Sequence, residues 1–530
     1  MILRKTFLGL SAIIFLSATA SAQINVDQLS AASAYDAGVL QNGSLDSALW
    51  QGVSAKRATD LIENIDTDAM GMARDLIYAA LLSGGVPPQA NGRLERETYI
   101  DARLSAILSL GDLAAFDKLV GQYEIARTSS VFTKTIAERA LLGGDTNSAC
   151  GITDEVTLER KSPYWAKMRA FCHVVRDEIP AAELTADLLS RSGHKDKIFF
   201  ALLGKLTGTR PDVKIDRVDT PLQTAMLREV LETEQIQVKT LPVTFSAAIA
   251  LDSQKPPDDR LKALLASASI LSAEQIRSVL GGLAEAPLQS AEQLQGKNWG
   301  ADIWGGVFKA LSASTDMHNS AALAGAILAQ ADKQNQLAKF ARTLAAETGI
   351  IPPELQAKHS PKIFARVAVL RNDTNALRGL FQALEADNSL RGRIALASDA
   401  LGNGFLLGEL GVDIETRLAL TNKQDKKTQA RAVRDTYIAV AMGANLSESA
   451  ETILRKSKLN GRTIHPGALL ALRAAARRGS KAEIALRTAA IIEGKPLRAD
   501  AFADVLTVLT SAGMYEQAGK LAALDFLNDD

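Results

Sequence analysis

The sequence has little of what active sites are usually built from. Its 530 residues include two cysteines and five histidines. The histidines (His173, His194, His318, His359 and His465) are scattered, with no H-E-x-x-H and no pair four residues apart, so no zinc-hydrolase motif is present. There is no G-x-S-x-G elbow and no Gly-rich loop ending in Gly-Lys-Ser/Thr, which removes the usual serine-hydrolase and nucleotide-binding signatures. Ser192-Gly-His-Lys195 fits S-x-x-K in form, but its companion elements are missing and it reads as a turn. Asn64, Asp66 and Asp68, with Asp75 at the twelfth position, mimic a calcium loop. The glycine needed at position six is absent and a good helix follows, so helix capping by Asp66 or Thr67 is expected instead. No metal and no cofactor are expected.

Other scarcities bear on class. Aromatic residues make up 5% and there are 15 prolines, while the long stretches are Ala, Leu, Glu, Lys and Arg. These residues lose little entropy on a helix, and few segments alternate in the way strands require. An all-α chain is predicted. The formal net charge is zero, which argues against a nucleic-acid binder. Beyond the N-terminus no run of about 18 apolar residues occurs, so no membrane span is expected.

What is present starts with a leader. Arg4 and Lys5 precede an apolar run from Phe7 to Leu16, followed by Ala20-Ser21-Ala22. This is the pattern of a secretory signal peptide cleaved after Ala22, with no cysteine behind the site to carry a lipid anchor. A periplasmic or secreted location follows, with 1–22 as the leader.

The strongest signal is a recurring break. Short Gly, Asn or Asp turns split helical stretches at Gly111, Gly144 and Asp177, and again at Asn372, Gly408, Gly443, Gly479 and Gly513. The intervals run from 33 to 36 residues. A fixed period of this size predicts an α-solenoid of stacked helical hairpins, each unable to bury its apolar face alone. Stripes agree with it: Phe502, Val505, Leu506 and Leu509 fall on one helical face, as do Trp165, Met168 and Cys172. Pro-containing breaks interrupt the centre, so the expected division is an array over 23–207, an irregular helical centre over 208–360 and a second array over 361–530.

In Gly513-Met-Tyr-Glu-Gln-Ala518 the turn glycine, the tyrosine and the small alanine resemble the tetratricopeptide-like repeat family. The resemblance implies a superhelix with a concave groove for peptides or proteins, and it implies no activity.

By the logic of the repeat, Cys150 sits on the second helix of one hairpin and Cys172 on the first of the next, close enough to bond in an oxidising compartment. Two unpaired core thiols are the alternative. Two further features are candidate partner-binding surfaces. One is the stretch from Lys423 to Arg487, with 14 Lys or Arg against 5 Asp or Glu, including Lys423, Lys426, Lys427, Arg431, Arg434, Arg455, Lys456, Arg477 and Arg478. It is either a set of solvated helix faces or a positive surface for an acidic protein, an envelope glycan or a lipid headgroup. The other holds Trp299, Trp304 and Phe308 among glycines, either filling the irregular centre or standing out as an aromatic anchor. Two functions are carried forward. The first is an exported scaffold or adaptor binding a protein partner in a cell-envelope assembly. The second is a cell-wall glycan enzyme of the superhelical lytic transglycosylase type, for which Glu448-Ser449 is the only nearby sequence match.

Overall fold

The computed structural model describes residues 35, 37–40, 43–121, 130–157, 159–209, 214–233, 238–288, 290–294, 298–386, 388–402, 426–446 and 448–528. The leader, Gly408 and Lys423 lie outside these residues. Among the described residues the chain is all-helical and no strand forms; two isolated backbone bridges, Ser54 with Gln89 and Arg462 with Leu497, are the only extended pairings.

The periodic breaks are helix ends of one design. Gly111, Gly144, Gly443, Gly479 and Gly513 all adopt left-handed φ, between 73° and 106°. The three non-glycine residues with positive φ among the described residues are Asp177, Asn335 and Asn372, and two of those belong to the sequence ladder. At Gly144 the N–H donates to the Leu141 carbonyl and the Asp145 N–H donates to the Ala140 carbonyl. The same pair of bonds recurs at Gly111, Asp177, Asn335, Asn372, Gly443 and Gly513. This is the Schellman closure, which satisfies otherwise orphaned carbonyls and needs a left-handed residue at its apex. Where an aspartate follows, it also starts the next helix. Asp112 accepts from the Ala115 N–H, Asp145 from Ser148 and Asp373 from Ala376, at 2.9–3.0 Å. Two residues thus end one helix and begin another, which is why consecutive helices fold back on each other.

Such neighbours pack as pairs. Ser130–Gly143 lies on Thr146–Glu155, Pro163–Val175 on Ile179–Arg191, and Ala499–Ser511 on Tyr515–Phe526. Two apolar cores result. The main one runs from Leu45 to Leu527 and includes Trp50, Trp304, Phe340 and Phe526. The second holds Trp165, Met168, Phe171, Phe199, Leu202 and Met226, contributed by helices between residues 137 and 230. Cys150 and Cys172 form a disulfide in this second lobe, their Cα atoms 5.5 Å apart, joining adjacent hairpins as the repeat logic required. The lobe is tied back at its root, where Arg228 donates to the carbonyls of Leu141 and Leu142 at 3.2 Å.

The two ends of the chain also meet. The Gly71–Leu82 helix packs on the Lys481–Ile492 helix, and the Ala482 N–H donates to the Leu49 carbonyl at 2.8 Å. Glu483 is fully buried at this seam and accepts from Arg57, Arg478 and Arg487 at 2.6–2.8 Å. Nothing in a local periodicity signals a contact between residues more than 400 positions apart.

Candidate functional site

Because these early and late helices meet, helices from every third of the chain line a partly open cavity of about 1280 Å³. Its wall comprises the start of Gly71–Leu82, the end of Arg93–Ser109, loops near 217–224 and 240–244, the short Leu337–Thr343 helix, the turn at Asn372 and the first turns of Tyr515–Phe526. The volume exceeds the roughly 300–1,000 Å³ usual for small-molecule sites, so an extended ligand fits it better.

Charged groups cluster on one side. Arg74, Asp75 and Tyr78 come from one helix, Lys339 and Arg342 from another, and Glu516 and Lys520 from a third. Arg74 donates to the Leu110 carbonyl at 2.9 Å and to the Tyr78 hydroxyl at 3.2 Å. Lys520 pairs with Glu516 at 2.7 Å. Arg342 approaches Asp75 only to 4.0 Å, and Lys339 stands 3.5 Å from the Ser269 carbonyl. Enclosure by protein shifts these groups. Burial pushes Tyr78 up to about 12 and brings the Lys339 ammonium down to about 8, with Arg342 acting in the same direction. Asp75 is also raised by burial, against the pull of Arg342, Lys520, Arg74 and Lys339. Its side chain nevertheless keeps 43% exposure, as expected of a group on a cavity wall that still reaches water. Several displaced titrations in one concave place mark a functional candidate.

Among the described residues, none of the sequence-derived partner-binding candidates lines the cavity. Arg431 and Arg434, half-buried, converge on Asp525, Arg434 at 2.6 Å, and Arg434 also donates to the Leu497 carbonyl. Arg478 belongs to the Glu483 seam, and Arg455 pairs with Glu451 one turn away. Lys426, Lys427, Lys456 and Arg477 are exposed. This partition predicts a contrast. Reversing Arg434 to Glu should cost about 3–5 kcal/mol, because it sets like charges against Asp525 in a part-buried site. Lys426→Glu should stay within about 0.5 kcal/mol. Denaturant titration of the two variants checks this; equal losses would refute the structural role of Arg434.

In the tryptophan segment, Ala301–Ala313 is a regular helix that includes Gly305 and Gly306. Trp304 and Phe308 are buried, and Trp304 packs on Trp299 and Phe340 with ring centres 5.4 and 5.3 Å apart. The glycines are points of close approach: a Cβ on Gly305 would lie 2.6 Å from the Ala284 nitrogen. The expected cap at Asp66 or Thr67 is also corrected. Asp66 accepts from the Asp68 N–H in a local turn, and the following helix starts at Gly71 behind Met70 with no side-chain cap. Glu448 is exposed on the first turn of Glu448–Lys456.

A second carboxylate cluster sits where the two cores join. Glu138 is buried, with Lys134 at 3.8 Å, and Thr135 donates to nearby Asp101. Burial, helped by Asp101, pushes Glu138 up to about 7. A carboxyl raised in the folded state favours folding at low pH, and that benefit falls away as pH climbs from about 4.3 through 7. Glu138→Gln should therefore stabilise the protein by roughly 1–3 kcal/mol at pH 8 and change little at pH 4. Melting curves at both pH values would show it, and an equal effect at both would count against the assignment.

No known protein family matches the chain, and no curated protein or solved structure matches it.

Proposed function

We propose that this protein is an exported scaffold or adaptor, an α-solenoid of tetratricopeptide-like hairpins in a cell-envelope assembly, and that it holds a segment of a protein partner in the partly open cavity. The observation that carries this reading is the cavity itself. It is larger than the usual small-molecule site, and helix ends and turns line it. The leader-like N-terminus supports export, and the Cys150–Cys172 bond is compatible with an oxidising compartment. Its chemistry is that of binding: cations, amides and apolar side chains on a shared wall.

A photo-crosslinking residue tests the idea in living cells. Met70, half exposed on the cavity wall, should capture a discrete protein when replaced by a benzophenone amino acid. The same replacement at Leu184, exposed on the second lobe, should not. Identical band patterns from the two positions would remove the cavity as the partner site.

A further inference from the structure

Many guanidinium groups in this molecule are consumed by the fold. Arg103 donates to the carbonyls of Leu81, Ala37 and Ser83, and Arg260 to those of Ala250 and Gly282, at 2.6–3.3 Å. Arg228, Arg371, Arg393 and Arg462 serve other helix ends similarly. The reason is physical: the last carbonyls of a helix are unsatisfied and carry its negative dipole end, and a planar fork reaches two at once. Lys339 and Arg342 break the rule. They sit one turn apart on the cavity wall, and their nearest recorded oxygens are at 3.5 and 4.0 Å, at or beyond the limit of a hydrogen bond.

We infer that Lys339 and Arg342 read a carboxylate on an extended peptide segment held in the cavity, an assignment that rests on the cavity being the partner site. The neighbouring cations are already engaged, Arg74 by a helix end and Lys520 by Glu516. Asp75 is the only carboxylate recorded near Arg342, and it lies too far to satisfy the guanidinium. The rest of the wall suits a peptide. Asn335, Asn372 and Gln517 offer amides that pair with backbone groups, while Met70, Met72 and Val243 offer adaptable apolar contact. An acyl chain would leave those amides unpaired, at a desolvation cost.

Fluorescence anisotropy on the full protein tests the assignment, with a short fluorescein-labelled Ala/Leu peptide carrying glutamates and its glutamine counterpart as probes. At pH 7 the glutamate peptide should bind about tenfold tighter, equivalent to about 1.4 kcal/mol. Lys339→Met with Arg342→Gln should abolish that preference, and Asp75→Asn should increase it severalfold by removing a negative charge from the cavity wall. Arg455→Ala with Lys456→Ala, on the outer surface, should leave it unchanged.

A pH titration of the unmutated protein provides an independent arm. Lys339 is faced by Arg342, Arg74, Asp75 and Asp112, and burial with Arg342 holds it at about 8. Above that pH it is neutral in the free protein, so affinity for the glutamate peptide should fall severalfold between pH 7 and 9. The glutamine peptide should show no such fall. Equal binding of the two peptides, a preference that survives the double substitution, a flat pH profile, or displacement of both peptides by laurate would each overturn the proposal. A Met70 crosslink without glutamate preference would leave the partner site standing and remove the carboxylate assignment alone. No crosslink together with no binding of either peptide would remove both.

Discussion

Replacement of Glu483 by alanine should lower the stability of this protein by about 3–5 kcal/mol. Glu483 is fully buried and is the shared acceptor of Arg57, Arg478 and Arg487. Its removal leaves three guanidinium groups crowded without a counter-charge, and mutual repulsion adds to the desolvation already incurred. The damage should be local first. The seam joins residues near Leu49 to the Lys481–Ile492 helix, and the Gly71–Leu82 helix packed there forms part of the cavity wall. Hydrogen exchange should therefore accelerate in these segments before the rest, and peptide binding in the cavity should weaken with it.

The pH dependence has a definite sign. Burial alone would raise the Glu483 carboxyl, but hydrogen bonds from the three arginines outweigh it and hold the group below its usual range. Its contribution is thus fully present above the unfolded value of about 4.3 and is lost as pH falls through the folded one. The stability gap between the protein and Glu483→Gln should be constant from pH 5 to 7 and close on acidification below about 4. A gap that widens in acid would contradict the ion cluster.

Removing the disulfide should also have a large effect. Cys150 and Cys172 are 22 residues apart, and a loop of that length is worth roughly 3 kcal/mol on the chain-entropy account. Cys150→Ala with Cys172→Ala should lower stability by about 2–4 kcal/mol, confined to one place. The bond links adjacent hairpins of the second core, between residues 137 and 230, while the main core spans the rest of the described helices. Protection of amides in Pro163–Val175 and Ile179–Arg191 should drop, with the Lys481–Ile492 seam unaffected. A uniform loss across both cores, or none, would show that the two do not respond separately. In the unreduced protein, denaturation should expose no titratable thiol.

Local chemistry was legible from the residues alone. Left-handed apexes at Gly111, Gly144, Asp177, Asn372, Gly443, Gly479 and Gly513 were readable because a helix stop needs a residue that tolerates positive φ, and few types do. The helical stripes were readable because burial imposes a 3.6-residue period, and Phe502, Val505, Leu506 and Leu509 are all buried. The pairing of the two cysteines was readable because adjacent hairpins fix their separation.

The use made of each charge was decided by tertiary structure. Lys426 and Arg434 look alike in sequence, both basic and both in the Lys426–Ala441 helix. One meets water, and the other meets Asp525 from a helix that lies about 90 residues later in the chain. Gly305 likewise must be small because the turn at Ala284 packs against it. The cavity was the least visible of all. Asp75, Lys339, Arg342 and Lys520 share no motif, and they face one another because the first helices close against the last. Periodicity constrains neighbours along the chain, whereas this closure joins segments more than 400 residues apart, a contact that no local window of sequence contains.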